Sequence, residues 1–316
     1  MRILITGAGG FVGYHLAACL RSRGHIVYAG VRRTKPEFPP GVQPVQLDVL
    51  NSDILQDIVS FIRPEAVVHL AAQSMVSVSW REPAQTFAIN VLGTINLVEA
   101  IAQTVPECKI ITVGSGEEYG LTATEGSLLT EDHPCRPYNP YALSKFAMGQ
   151  VALQIARRHG LRVIHVRPFN HFGPGQQEGY VVSDFAAQIA RIKAGLQQPV
   201  LRVGDLSPCR DFIDVRDVVE AYAALLEYGM EGEIYNVCSG VARSIREVLD
   251  LLLEEARVPV KVEIDPARIR PAEIPVFVGS ADKLSGATGW RPQRDFAVSL
   301  RETLDWWRRK TQEGPK

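Results

Sequence analysis

The 316-residue sequence is poor in the residue patterns that build metal centres and disulfide frameworks. Its five cysteines (Cys19, Cys108, Cys135, Cys209, Cys238) are scattered and odd in number, and no two form a CxxC pair. That argues against a disulfide scaffold or a cysteine zinc site and for reduced thiols in a cytoplasmic protein. The seven histidines make no HExxH and no His/Cys cluster, so no metal is expected. Excess charge is missing too: 34 Lys and Arg against 35 Asp and Glu give a formal net charge of −1. Such a balance exerts no general pull on nucleic acid or an anionic membrane, so partners have to be recognised at local sites. The basic, apolar start MRILITGAGG breaks at Gly7, too early for a secretory core. No run approaches the roughly 18 apolar residues of a membrane span, and no internal repeat, low-complexity stretch or long linker interrupts the chain.

What is present is an alternation of short apolar runs with longer helical patterns, the mark of a parallel sheet covered by helices. Strands are expected at RILIT (Arg2–Thr6), HIVYAGV (His25–Val31), VQPVQLD (Val42–Asp48), AVVHLAA (Ala66–Ala72), KIITVGS (Lys109–Ser115) and LRVIHVR (Leu161–Arg167). Helices intervene near 11–23, 52–62, 83–104 and 141–159. The fold class is therefore α/β, a Rossmann-type doubly wound parallel sheet. After Pro168 the rhythm breaks at the Gly/Asn/Pro-rich loop FNHFGPGQQEG (Phe169–Gly179). Mixed elements follow, with helices near 181–195, 215–228, 244–256 and 296–310, a strand near 200–203, and a further buried strand in EIYNVCSG (Glu233–Gly240). The expected division is a first domain over 1–168, with segments of about 213–238 returning to it. A smaller C-terminal lobe, woven into the first domain, takes up 169–212 and 239–316.

Three places carry chemistry. GAGGFVG (Gly7–Gly13) lies between the first strand and first helix, where glycines let backbone N–H groups approach a pyrophosphate at a helix N-terminus. Its spacing, Gly7-x-x-Gly10-x-x-Gly13, departs from GxGxxG, and a glycine cluster also serves as a plain structural turn. The second strand ends in Val31, Arg32 and Arg33 with no acid. An acid there would suit the ribose of NAD, whereas arginine accommodates the 2′-phosphate of NADP, so NADP(H) is preferred and NAD(H) remains possible. YALSK (Tyr141–Lys145) opens a helix, so Tyr141 and Lys145 project from one face at i, i+4. The Lys145 ammonium is expected to lower the Tyr141 phenol for proton transfer, beside Ser115 at the end of the fifth strand.

Taken together, GxxGxxG after strand one, HLAAQ (His69–Gln73) after strand four, Ser115 four residues before the Tyr of EEYG, and YxxxK resemble the extended short-chain dehydrogenase/reductases. RPFN (Arg167–Asn170), RDFIDVRDV (Arg210–Val218) and GWRP (Gly289–Pro292) extend the likeness over nearly the whole chain. The resemblance implies catalysis by Ser115, Tyr141 and Lys145, with Glu117 as a further catalytic or substrate-binding candidate. It implies cofactor contacts at Gly7, Gly10, Phe11, Val12, Gly13, Arg32, Arg33, Asp48, Val49, Leu70, Ala71, Ala72, Tyr141 and Lys145. It also implies a nucleotide-diphosphate sugar as substrate, held partly by the C-terminal lobe and met by Asn170, Arg210 and Arg270, and a homodimer paired through the helices near 84–103 and 141–158. Within the family, GSGEEYG, FNHFGPGQ, VRDV, YNVCSG and IRPAEIP look most like the GDP-4-keto-6-deoxy-mannose reductases. These reduce a C4 ketone with NAD(P)H, giving GDP-rhamnose or its C4 epimer. Glu117 stands where sugar-nucleotide 4,6-dehydratases keep a base, so a dehydratase or epimerase with tightly bound cofactor is the alternative. Gly116, in place of an aspartate, and the GGFVG turn favour the reductase. A non-enzymatic dinucleotide sensor would not need the Tyr–Lys pair. His171 is either a substrate contact or a hydrogen-bonding residue of its loop.

Overall fold

The computed structural model describes residues 1–32, 37–123, 128–269 and 274–313. In chain order the strands of the first part are β1 (Arg2–Thr6), β2 (Ile26–Val31), β3 (Gln43–Gln46), β4 (Ala66–His69), β5 (Lys109–Val113) and β6 (Arg162–Pro168). Beyond them come β7 (Asn170–Phe172), β8 (Val200–Val203), β9 (Cys209–Asp214), β10 (Ile234–Val237), β11 (Ala242–Ser244), β12 (Lys261–Ile264) and β13 (Val276–Phe277). Seven strands make one sheet in the order β10-β6-β5-β4-β1-β2-β3, and every pairing in it is parallel. Helices cover both faces, which is why β1, β4 and β5 read as unbroken apolar runs and not as alternating ones.

On one face lie α1 (Phe11–Ser22) and, from later in the chain, α8 (Val215–Tyr228), whose Leu16, Leu20, Val218, Tyr222 and Leu225 share a core with β1, β2 and β6. On the other face α2 (Ser52–Ile62), α5 (Gly93–Thr104) and α6 (Pro140–His159) bury Leu55, Val59, Leu97, Ile101 and Leu153. Between α2 and α5 the chain also forms the short α3 (Val76–Arg81) and α4 (Pro83–Phe87). The continuous helical segment Pro83–Thr104 is long and apolar enough to cross a membrane by length and composition alone, but here it packs between α2 and α6. Its middle, Ala88–Leu92, widens into one π-helical turn. The start of α6 is well specified: Asn139 Oδ1 accepts from Ala142 N–H at 2.8 Å and Pro140 occupies the first turn.

The remaining chain builds the smaller lobe around α7 (Val181–Lys193), α9 (Ile245–Ala256) and α11 (Phe296–Glu313), which bury Phe185, Ile189, Leu249, Leu252, Leu304 and Trp307 together. Its strands were mostly not apparent in the sequence. β9 pairs with β7, β11 and β13, and β8 pairs with β12, in strands of two to six residues. Two segments return to the main sheet. β10 adds its seventh strand beside β6, and α10 (Asp282–Thr288) with Trp290 joins the α1/α8 core through Leu284.

Candidate active site

β1 and β4 are neighbours whose following loops part to opposite sides, the switch point at which an open parallel sheet opens a crevice. The turn after β1 fits a dinucleotide closely. Gly7 has φ +68°, and a Cβ there would stand 2.7 Å from the Ala71 nitrogen. At Gly13 a Cβ would meet the Ala8 backbone at 2.5–2.7 Å, so α1 approaches the turn only because that side chain is missing. The N-terminus of α1 has no side-chain cap at Gly10, leaving the amides of Phe11, Val12 and Gly13 oriented as a helix-end anion site. Opposite this turn, Leu70, Ala71 and Ala72 are half-buried and follow β4. Val49 is buried after β3, with its carbonyl accepting from Asn96 Nδ2 at 2.9 Å, while Asp48 Oδ1 accepts from Leu50 N–H at 3.0 Å. Arg32 is exposed just past β2. Arg33 lies outside the described residues.

Behind the crevice runs a hydrogen-bond chain that was not anticipated. Ala71 N–H donates to Thr6 Oγ1 at 3.2 Å, and Thr6 Oγ1 meets His69 Nδ1 at 2.7 Å. His69 Nε2 meets Thr94 Oγ1 at 2.9 Å, and Thr94 donates to the Asn90 carbonyl at 2.6 Å. Because Thr94 spends its proton on that carbonyl, its oxygen accepts from Nε2–H, which leaves Nδ1 to accept from Thr6. Burial, aided by the Lys145 charge, pushes His69 down to about 3, so the ring is neutral. Asn90 sits in the π-helical turn, a wider winding that recurs at functional sites. Its amide clamps both walls: Oδ1 accepts from Gln73 N–H at 2.8 Å, and Nδ2 donates to Ser144 Oγ at 2.9 Å. Ser144 in turn donates to the Tyr141 carbonyl at 2.7 Å.

Tyr141 and Lys145 occupy the first turns of α6, facing Ser115 just beyond β5. The Tyr141 hydroxyl is hydrogen-bonded with Ser115, and the Tyr141 amide donates to Ser79 Oγ at 3.1 Å. Contrary to expectation, the phenol is held above its ordinary value. Burial is the main cause, and Tyr180, Glu117 and Glu118 add to it, while the Ser115 bond opposes it. Lys145 Nζ donates to the Val113 carbonyl at 2.7 Å. Burial lowers that ammonium to about 8. A protonated phenol near neutral pH is a proton donor, the form a reduction requires.

Two adjacent acids separate on the short turn Gly116–Tyr119. Glu117 is half-buried and near Tyr141, with Oε2 accepting from Asn139 Nδ2 at 3.4 Å. Glu118 points inward and is fully buried against Ser115, His165 and Arg167. The substrate-side candidates are spread more widely. Asn170 is exposed at the start of β7, and Arg210 on β9 donates from Nη1 to the Cys209 and Ile274 carbonyls at 2.8 Å each. Arg270 lies outside the described residues. His171 Nδ1 donates to the Phe169 carbonyl at 2.9 Å. Its ring lies parallel to Phe11 at the head of α1, with centroids 6.2 Å apart, so the Phe169–Gly179 loop packs over the dinucleotide turn.

This chain matches the family model described as GDP-mannose 4,6 dehydratase over residues 4–303. It is 41% identical to the GDP-6-deoxy-D-mannose reductase of Pseudomonas aeruginosa, with 99% of each chain covered. The solved structure of RMD from Pseudomonas aeruginosa complexed with NADPH superposes with a TM-score of 0.87 at 40% identity, covering 98% of this chain and 99% of that one. UDP-glucose 4-epimerase of Thermus thermophilus in complex with NAD gives the same TM-score at 34% identity, covering 98% and 99%. With a crevice at the β1/β4 switch point, a Ser–Tyr–Lys constellation beside it and a match along nearly its whole length, the chain belongs to the GDP-mannose 4,6-dehydratase family of extended short-chain dehydrogenase/reductases.

Proposed function

We propose that this protein uses NAD(P)H to reduce the C4 ketone of GDP-4-keto-6-deoxy-D-mannose, giving GDP-D-rhamnose or its C4 epimer. The observation that carries this reading is the placement of Tyr141 and Lys145 on the first turns of α6, facing Ser115 at the edge of the crevice, with Lys145 Nζ held on the Val113 carbonyl. The likeness to a GDP-6-deoxy-D-mannose reductase supports the choice of substrate. When bound, the reduced nicotinamide supplies the hydride. The keto oxygen lies between Tyr141 and Ser115; Tyr141 gives it a proton as C4 is reduced, and Ser115 hydrogen-bonds the developing alkoxide. The Lys145 ammonium holds the ribose, and the amides at the head of α1 hold the pyrophosphate. Arg32 and Arg33, with no acid beside them, favour NADP(H) through its 2′-phosphate. Asn170, Arg210 and Arg270 are assigned to the nucleotide-sugar, the arginines through phosphate oxygens. The homodimer expected from the family would pair Pro83–Thr104 and α6 with their copies, where Leu92 and Leu143 stand exposed. A cytoplasmic setting accords with five cysteines that are all unpaired.

Glu117 keeps a second reading in view. Its carboxylate stands near Tyr141, where a 4,6-dehydratase needs a base. Nucleotide-sugars assayed by NADPH absorbance, with product NMR, separate the two. Stoichiometric NADPH oxidation with GDP-4-keto-6-deoxy-mannose and no turnover of GDP-mannose is expected. Formation of the 4-keto-6-deoxy product from GDP-mannose without added cofactor would overturn the reductase and make Glu117 the base.

A further inference from the structure

Glu118 is the fully buried acid beside this site, and the mechanism above gives it no part. Its Oε1 accepts from Ser115 N–H at 2.9 Å and meets His165 Nε2 at 3.0 Å, while Oε2 accepts from Arg167 Nε at 2.9 Å. His165 is held from its far side by Thr112 Oγ1 at 2.9 Å from Nδ1. Two glycines make room for this pair, and both lie on the segments that carry the reacting groups. A Cβ on Gly114, directly before Ser115, would overlap Glu118 Oε1 and the His165 ring. A Cβ on Gly149, one turn beyond Lys145 on α6, would overlap the same ring. Glycine inside a long helix is unfavourable, so the space at 149 has to serve a purpose.

The charged and titratable groups around this carboxylate come from several elements. β6 contributes His165 and Arg167, α6 contributes Tyr141 and Lys145, and the loop before α6 contributes Cys135. Its own turn contributes Glu117, which also faces Tyr141, and Tyr119, whose ring lies under Arg167. β4 contributes His69, which the Lys145 charge helps to keep neutral. Burial alone would raise the Glu118 carboxyl, but His165, Arg167 and the Ser115 amide outweigh it and hold it below the ordinary range. Lys145 spends its hydrogen bond on a neutral carbonyl, and Glu118 is the anion that opposes the burial of its charge.

We propose that Glu118 is a positioning residue that fixes Ser115 through its backbone amide, braced in turn by His165 and Arg167. The inference rests on Ser115, Tyr141 and Lys145 being the reacting constellation, and it identifies what holds Ser115 in register. Glu118→Gln is close to isosteric, but one amide oxygen then replaces the two carboxylate oxygens that meet Ser115 N–H, His165 and Arg167, so the hold on Ser115 is loosened. Turnover with the keto sugar should drop about tenfold, with its KM and the NADPH affinity read by fluorescence titration nearly unchanged, since the loss is one of orientation. Hydrogen exchange at the Ser115 amide should be faster than in the wild type. Wild-type turnover and unchanged Ser115 exchange in Glu118→Gln, with only the melting temperature lowered, would reduce Glu118 to a structural residue and overturn the proposal. Faster Ser115 exchange in the variant of a protein whose wild type oxidises no NADPH with the keto sugar would overturn the functional reading and leave this one standing. Gly149→Ala supplies a second variant, because its new methyl presses on the His165 ring that braces Glu118 while the carboxylate remains. It should lower turnover and leave NADPH affinity in place. Wild-type turnover in Gly149→Ala would sink the bracing of Glu118 by His165.

Discussion

His69 allows a quantitative test, because the folded protein keeps it neutral over a wide pH range. Burial moves it from 6.5 to about 3, and both ring nitrogens are engaged by Thr6 and Thr94. In the unfolded chain the ring takes up a proton near 6.5, and in the folded chain it does not, so acid favours unfolding. The stability contributed by its neutrality is complete above 6.5 and is lost progressively as pH falls toward about 3. One pH unit inside that window is worth about 1.4 kcal/mol, so going from about pH 7.5 to about pH 5.5 costs the wild type about 1.4 kcal/mol through this residue. Most carboxylates titrate below that range. His15, His25 and His171, whose values are also lowered, contribute in the same direction and cancel in a comparison of variants. His69→Gln should be less stable than the wild type at neutral pH by about 1–3 kcal/mol, for the hydrogen bonds it fails to reproduce. It should also lose about 1.4 kcal/mol less on acidification. Urea unfolding followed by tryptophan fluorescence at the two pH values measures both quantities. Equal acid sensitivity in the two proteins would mean that His69 is protonated in the fold, and would break the chain that joins Ala71 to Asn90.

Tyr141→Phe should preserve folding and NADPH binding while lowering kcat at least about 100-fold, read by NADPH absorbance assays with the keto sugar. Near wild-type turnover in that variant would end the proposed proton transfer. Gly13→Ala, whose methyl would press on the Ala8 backbone, should cost about 1–3 kcal/mol of stability and weaken NADPH binding; an unchanged melting curve and titration would contradict the close approach of α1. Replacing Arg32 and Arg33 by uncharged residues should weaken NADPH much more than NADH, and equal losses would show both side chains to be merely solvated. Light scattering at micromolar concentration should report a dimer, and a monomer there would refute the pairing of Pro83–Thr104 with α6.

The periodicity of the sequence was enough to place β1 to β6 and the longer helices between them, though not the short α3. A parallel strand covered on both faces is a short unbroken apolar run, and that local pattern needs no knowledge of its partners. Gly7 and Gly13 were readable for the same reason: a dinucleotide turn is local, and its glycines lie in one stretch of chain. The i, i+4 spacing likewise put Tyr141 and Lys145 on one helix face. Apart from β8, the small strands of the second lobe were not readable. β7, β9, β11 and β13 run two to six residues and derive their pairing from partners as far apart as Cys209 and Val276, which no local window contains. Glu117 and Glu118 are alike as letters, and only the winding of one short turn sends the first toward Tyr141 and the second under Ser115. The direction of the Tyr141 shift was likewise tertiary. An i, i+4 lysine promises to lower a phenol, but here burial prevails and the phenol is raised. Sequence determined which residue types reach the crevice; the packing of α6 against β5 and the π-helical turn decided their ionisation, because desolvation depends on what encloses a group and not on its neighbours along the chain.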